Sequence, residues 1–173
     1  MSRHSVHTSK GRWRQTVRVK HSSELFVDAS TEAVVEVVSD LSTYPSWNDL
    51  VAVAEPIASV DNDPGPAWRT TLTAKVGPFA RSKQLRFVRD TFETDDVGTT
   101  SVRFSRSEVD GRDHAGWTMD CVVTAKTGEH PGTVVTLTLQ YDGTLWVPAL
   151  GSVLDGAIDR ATRRLPDYVQ ERP

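Results

Sequence analysis

The change of hydrophobic period along the chain limits its fold more than any other feature of the sequence. From Leu50 to Tyr141, apolar and polar residues alternate with the period of two that is typical of half-buried strands, and short turns separate the segments. From Leu150 onward the spacing becomes that of one long amphipathic helix. Strands joined by short turns pair as an antiparallel meander. One long helix must therefore cover most of the apolar face of the sheet.

The residues before this meander predict one more strand and two short helices. The first strand should run from about Arg14 to Asp28, where the alternation is clear. Ser30 is placed to cap a following helix, and Glu32 lies in its first turn, where the helix dipole favours an acid. Pro45 fits the first turn of a second short helix. The expected fold class is α+β, with both short helices between strands 1 and 2.

A sheet of about seven strands is too wide for one helix to cover unless the sheet curls around it. A curled sheet that does not close leaves a gap between sheet and helix, and this gap can hold a ligand. The same pattern is also compatible with an interior that packs solid. Pro166 should kink the last helix or break it before a final turn.

Three stretches near the N-terminus resemble the START/Bet v 1-like superfamily (SRPBCC), which includes the polyketide cyclase/dehydratase and lipid-transport group. They are Phe26-Val27-Asp28-Ala29-Ser30, Val34 to Val38, and Asp40-Leu41-Ser42-Thr43-Tyr44-Pro45-Ser46-Trp47. The predicted order of elements is similar to the helix-grip fold of that family. The resemblance implies a curved seven-stranded antiparallel sheet wrapped around a long C-terminal helix. It covers residues 14–173, which are expected to form one domain.

Composition and charge limit the choice of partners and compartment. The 173 residues carry a net charge of -3, so the chain as a whole has no attraction for nucleic acid. Residues 1–13 are basic and should form a mobile arm, with binding to an acidic partner or to lipid headgroups as the alternative. One cysteine, no signal peptide and no apolar run of about 20 residues predict a cytoplasmic protein that does not insert into membranes, either a monomer or a homodimer.

The sequence contains no motif for a phosphate loop, a zinc site or a nucleophilic triad, so no cofactor and no metal are expected. Cys121 and His114 fit an inert core thiol and a solvated surface side chain. The inward alternation of two neighbouring strands continues to charged residues, and a buried guanidinium there needs a partner, either Glu108 or an anionic or carbonyl group of a ligand. The resemblance to cyclases implies that such an arginine holds a carbonyl or enolate of the substrate. Alternatively, a bulge turns these side chains outward. The candidate catalytic residues are Arg89, Arg106, Glu108 and Tyr141.

The predicted ligand-binding residues are the apolar and aromatic side chains on the inward faces of the strands and the last helix. Aromatic rings with a polar edge suit the wall of a pocket for a flat or hydrophobic ligand. Trp146 precedes the last helix and is predicted to act as a lid. The full set is Trp47, Trp68, Leu72, Leu85, Phe87, Phe104, Trp117, Met119, Leu139, Tyr141, Trp146, Leu150, Leu154 and Ile158.

Three functions are compatible with these patterns. The leading one is binding of a hydrophobic small molecule, lipid or polyketide-like, in an internal cavity between the sheet and the C-terminal helix. The alternative is a polyketide cyclase/dehydratase-type enzyme that uses the same cavity, because such chemistry needs only a shaped pocket and a few hydrogen-bonding groups. The third is a partner-binding module that uses the basic arm. The sequence leaves open whether the protein is an enzyme.

Overall fold

The computed structural model describes residues 16–144 and 149–172, apart from the side chains of Val76 and Phe79. The predicted arm 1–13 lies outside these residues. Seven strands and three α-helices, with one 3₁₀ turn (Leu41–Thr43), occupy the described ranges. They are β1 (Thr16–Val27), α1 (Thr31–Val38), α2 (Tyr44–Trp47), β2 (Val51–Ile57), β3 (Ala67–Val76), β4 (Phe79–Thr94), β5 (Thr100–Arg106), β6 (Gly116–Lys126), β7 (Gly132–Thr144) and α3 (Leu150–Gln170).

All seven strands belong to one antiparallel sheet in the order β1-β7-β6-β5-β4-β3-β2. Strands β1 and β2 follow one another in the chain but form opposite edges of the sheet. The segment with α1 and α2 therefore crosses from one edge to the other. The order of elements confirms the predicted α+β helix-grip architecture, with two short helices between strands 1 and 2.

The short helices begin where the sequence predicts. The Ser30 side chain accepts a hydrogen bond from the Ala33 amide at 3.2 Å and caps α1. The Asp40 side chain accepts from the Ser42 amide at 2.9 Å and starts the 3₁₀ turn in the same way. Pro45 lies in the first turn of α2, where a main-chain N–H would have no acceptor within the helix, so the proline costs no helical hydrogen bond. These local signals place α1 and α2 across one end of the sheet.

Helix α3 is continuous from Leu150 to Gln170, so the predicted break at Pro166 does not occur. The helix packs mainly along β1, with smaller contacts to β7, β3 and α2. Its inward face is fully apolar, and Leu154 and Leu165 have no exposed surface. Burial of this face stabilises the last turn of the helix in spite of the proline. Because α3 lies over the β1 edge, this helix covers the β2 edge less.

Aromatic side chains fill the space between α2 and the sheet. Trp47 and Phe104 have no exposed surface, and Tyr44 contacts both, with ring centroids 4.3 Å and 5.6 Å away. Trp68 packs edge-on against Phe104 at 5.4 Å, and its indole N–H donates to Ser42 Oγ at 3.0 Å. Such edge contacts between rings stabilise a core beyond the area they bury. This end of the interior is therefore closely packed.

Candidate functional site

Every predicted ligand-binding residue that the structure describes is buried in one hydrophobic core. These thirteen residues have at most 5% of their surface exposed, as expected from the inward register. Trp146 lies outside the described residues. The alternation therefore identified the inward face correctly, but none of the thirteen is among the residues that line the cleft described below. The thirteen are Trp47, Trp68, Leu72, Leu85, Phe87, Phe104, Trp117, Met119, Leu139, Tyr141, Leu150, Leu154 and Ile158.

Two spaces of very different size adjoin α3. A void of about 10 Å³ lies between α2, β6, β7 and α3, and Trp47, Met119 and Ile158 contribute to its wall. This is about the volume needed for one water molecule, so this void is too small for the ligand that was expected in an internal cavity. A cleft of about 780 Å³ lies between α3, the start of β2 and the end of β3, at the edge of the sheet that α3 covers less. The cleft falls in the range of 300–1,000 Å³ that is typical of small-molecule sites.

The cleft has an apolar floor and a charged rim. Leu50 and Ala157 form part of the floor and are each 1% exposed. Arg160 and Arg164 lie one turn apart on α3, and both bond to Asp49, which directly precedes β2. The Arg160 Nε–Asp49 Oδ2 distance is 2.7 Å. This shared carboxylate joins the helix to the strand across the cleft. The complete wall is Asp49, Leu50, Ala52, Thr73, Lys75, Ala149, Ser152, Val153, Gly156, Ala157, Arg160 and Arg164.

A second set of polar side chains lies on the inward face of the sheet and includes three of the four candidate catalytic residues. Arg106 is paired across the ladder with the fully buried Phe87, so both side chains share the inward face. The Arg106 Nε donates to Glu108 at 2.7 Å, and its Nη1 donates to the Ala115 carbonyl at 3.2 Å. The Tyr141 hydroxyl donates to the Thr144 carbonyl. We call Lys83, Arg106, Glu108 and Tyr141 the inward polar cluster.

Burial and charge shift two pKa values in the inward polar cluster. Partial burial and the nearby Arg106 guanidinium lower the pKa of Lys83, and Glu108 opposes this shift. Burial raises the pKa of Tyr141, against the opposing effect of Arg106. The tyrosine therefore remains a neutral hydrogen-bond donor at neutral pH. Lys83 was not predicted, because its strand position could not be related to Glu108 before the register was known.

Arg89 does not join the inward polar cluster, contrary to the expectation that neighbouring strands bring it there. The Arg89 Nη1 donates to the Ser39 carbonyl at 2.9 Å, and the guanidinium lies 4.6 Å from the centre of the Phe92 ring. The ladder between β4 and β5 shifts register between Arg89 and Thr91. Arg89 itself is still paired with the fully buried Phe104, so the shift begins beyond it and does not move it off the inward face. It stays out of the cluster because its side chain extends to the main chain of Ser39, at the end of α1.

Cys121 and His114 occupy the environments expected for residues outside a reactive site. Cys121 is 2% exposed, its Sγ lies 3.3 Å from the Tyr44 hydroxyl, and burial raises the pKa of its thiol to about 12. A thiol of this kind is unreactive in the folded protein. His114 Nε2 lies 2.9 Å from Asp110 at the protein surface.

The residues that line the charged rim of the cleft were not predicted as site residues. Arg160 and Arg164 could have been found, because their i, i+4 spacing places them on one stripe of the predicted helix. Asp49 and Lys75 gave no such signal, since their approach to α3 depends on how the sheet curls. Within the described residues, no group of three or more potential ligands is arranged to hold a metal ion.

The sequence of residues 16–170 matches the family described as "Polyketide cyclase / dehydrase and lipid transport". The chain belongs to this family. The match covers all seven strands and the whole of α3, and with the helix-grip fold it places the protein in the START/Bet v 1-like superfamily. No curated protein sequence matches the chain.

Solved structures with the same fold include members of both branches of this superfamily. Human StAR-related lipid transfer protein 5 aligns with a TM-score of 0.70 and 15% identity, over 88% of this chain and 76% of that protein. A START superfamily protein from Mycobacterium smegmatis gives 0.59 and 15%, over 89% and 97%. Ara h 8.0201 gives 0.53 and 10%, over 90% and 100%. At these identities the likeness establishes the fold alone. None of the helices in the described residues could span a membrane.

Proposed function

We propose that the protein binds a hydrophobic small molecule, lipid or polyketide-like, in the cleft between α3 and the β2–β3 edge of the sheet. The single observation that carries this proposal is the cleft itself, with its volume of about 780 Å³ and its apolar floor. The family description, which names lipid transport, supports the same function. Buried apolar surface would supply most of the affinity.

Gly156 offers a direct test, because its missing side chain leaves room in the cleft. A Cβ atom added there would lie 3.0 Å from Arg160 Nη1, so any larger side chain occupies the cleft and displaces the guanidinium. We expect Gly156→Leu to weaken binding of the neutral dye Nile red by about fivefold or more, measured by fluorescence titration. Leucine is a better helix former than glycine, so α3 should remain folded.

Asp159→Leu is the matched control for Gly156→Leu. Asp159 is exposed on the same helix but is not part of the cleft wall. The control should bind the dye as the wild type does. Equal binding by Gly156→Leu and the wild type, with unchanged circular dichroism, would place the ligand elsewhere and contradict the proposal. Native mass spectrometry of gently purified protein would show whether a ligand of defined mass is retained.

The alternative function is a polyketide cyclase/dehydratase-type enzyme, and the inward polar cluster favours it. The two cations of the cluster, Lys83 and Arg106, could stabilise a developing enolate. Arg106, however, already bonds to Glu108 and to a main-chain carbonyl. If the protein turns over a polyketide-like substrate, Arg106→Ala should lower kcat at least about tenfold, as expected for loss of one electrostatic contact. Arg89→Ala should leave kcat unchanged, because the Arg89 guanidinium bonds to the Ser39 carbonyl and not to the cluster. Equal effects of both substitutions would remove this site assignment.

A further inference from the structure

The charge of the cleft differs in sign from the charge of the protein. Three positive side chains (Lys75, Arg160 and Arg164) and one negative one (Asp49) line it, which leaves a net charge of +2. The whole chain carries -3. A local excess of positive charge in an acidic protein attracts and orients anions. The cleft therefore combines an apolar floor with a positive rim.

The donors on this rim are not exhausted by Asp49. Arg160 uses its Nε and Arg164 its Nη1 in bonds to the two carboxylate oxygens. The remaining N–H groups of both side chains form no hydrogen bond to another described residue, and Arg160 Nη1 lies over Gly156, inside the cleft. Lys75 is exposed and makes no ion pair within residues 16–144 and 149–172. Free N–H donors therefore face the space that the ligand would occupy.

The bonds between the arginines and Asp49 are also easily rearranged. The side chains of Arg160 and Arg164 are 49% and 52% exposed, and that of Asp49 is 35% exposed. Ion pairs with this degree of exposure contribute little to stability. A ligand anion can therefore share the guanidinium groups with Asp49 at small cost, and a guanidinium forms strong paired hydrogen bonds with a carboxylate or phosphate.

We infer that the natural ligand is an amphiphile with one anionic group, held at the rim by Lys75, Arg160 and Arg164, and with an apolar body on the floor of the cleft. This inference rests on the proposed function and specifies its ligand class. Either a carboxylate or a phosphate monoester can serve as this anionic group.

The test compares two probes that differ by a single charge. 11-(Dansylamino)undecanoic acid and its methyl ester have the same fluorophore and chain, and both are titrated below their aggregation concentration. The acid should bind at least about tenfold more tightly than the ester, as expected for one charge-assisted contact. The difference should shrink as salt is raised. Displacement of the bound acid by dodecanoate and by dodecyl phosphate then shows whether the cleft prefers a carboxylate or a phosphate monoester.

Charge-neutral variants locate the contact. The double variant Lys75→Gln/Arg164→Gln should lose about tenfold affinity for the acid and keep its affinity for the ester. Arg163→Gln is the matched control, because Arg163 is exposed next to Arg164 but does not line the cleft. Equal binding of acid and ester would overturn this inference and leave the proposed function intact. Binding of neither probe would overturn both.

Discussion

Replacing Asp63 with alanine should lower the free energy of unfolding by about 3 kcal/mol, because the change leaves a buried guanidinium without its carboxylate. The side chains of Asp63 and Arg86 are 4% and 9% exposed. Arg86 donates from Nη1 to Asp63 at 3.1 Å and from Nη2 to the other oxygen, and Nη1 also donates to the Ser107 carbonyl at 2.9 Å. The pair thus attaches the β2–β3 loop to β4 and β5.

The same pair should make stability depend on pH. Hydrogen bonds from Arg86 hold the pKa of Asp63 below its usual value of 3.8. Because the pKa is lower in the folded than in the unfolded state, the contribution of this carboxylate is present above about pH 4 and is lost as the pH falls through the folded-state pKa. The difference in unfolding free energy between the wild type and Asp63→Asn should be largest above pH 4 and shrink below it.

Urea unfolding monitored by circular dichroism between pH 3 and pH 7 measures both effects. Asp61→Ala is the matched control, since Asp61 is an exposed acid in the same loop with no ion pair to another described residue. This control should change the unfolding free energy by less than about 0.5 kcal/mol. A loss of similar size for Asp61→Ala and Asp63→Ala would mean that the buried pair contributes nothing specific.

Glu108→Ala should be the second large loss, of about 2–3 kcal/mol, because it removes the carboxylate that compensates Arg106. The Arg106 side chain is 6% exposed, and Glu108, at 21%, also accepts from the Arg86 amide at 3.3 Å. The change should lower the pKa of Lys83 further, since only positive charge would remain beside it. Thermal unfolding and NMR titration of the lysine measure the two results.

Two further variants separate charge from hydrogen bonding at Glu108. Glu108→Gln keeps an oxygen that can accept from Arg106 and should cost less than Glu108→Ala. Arg106→Met/Glu108→Leu removes both charges and should recover most of the lost stability, as replacement of a whole buried pair by apolar residues often does. If the double variant were less stable than Glu108→Ala, the inward polar cluster would contribute more than charge compensation.

Local patterns predicted the secondary structure and the inward face of the fold. Alternation identified the strands around Leu72, Phe104 and Met119, and their side chains all lie in the core. Capping by Ser30 and the place of Pro45 were equally local signals, because each concerns atoms a few residues apart. The break predicted as one outcome at Pro166 does not occur, because tertiary packing of the apolar face outweighed the local preference of proline. The other predicted outcome, a kink at this residue, stays a prediction.

The site could not be predicted to the same extent, because it depends on contacts between distant segments. Asp49 is 111 residues from Arg160 and 115 from Arg164, so no local pattern relates them. Arg89 likewise bonds to the main chain of Ser39, 50 residues earlier in the chain, so no local pattern showed that its side chain turns away from Arg106. The position of the cleft follows from α3 lying over β1, which depends on the curvature of the whole sheet.

The separation between the packed interior and the cleft also affects how substitutions can change the ligand specificity of the protein. Much of the cleft wall, such as Ser152, Lys75 and Arg164, is solvent-exposed and has little part in folding. Substitutions there should alter which ligand is accepted while leaving the melting temperature almost unchanged. The scaffold could thus acquire a new ligand preference through a few surface substitutions, without the compensating core mutations that many enzymes need when they change specificity.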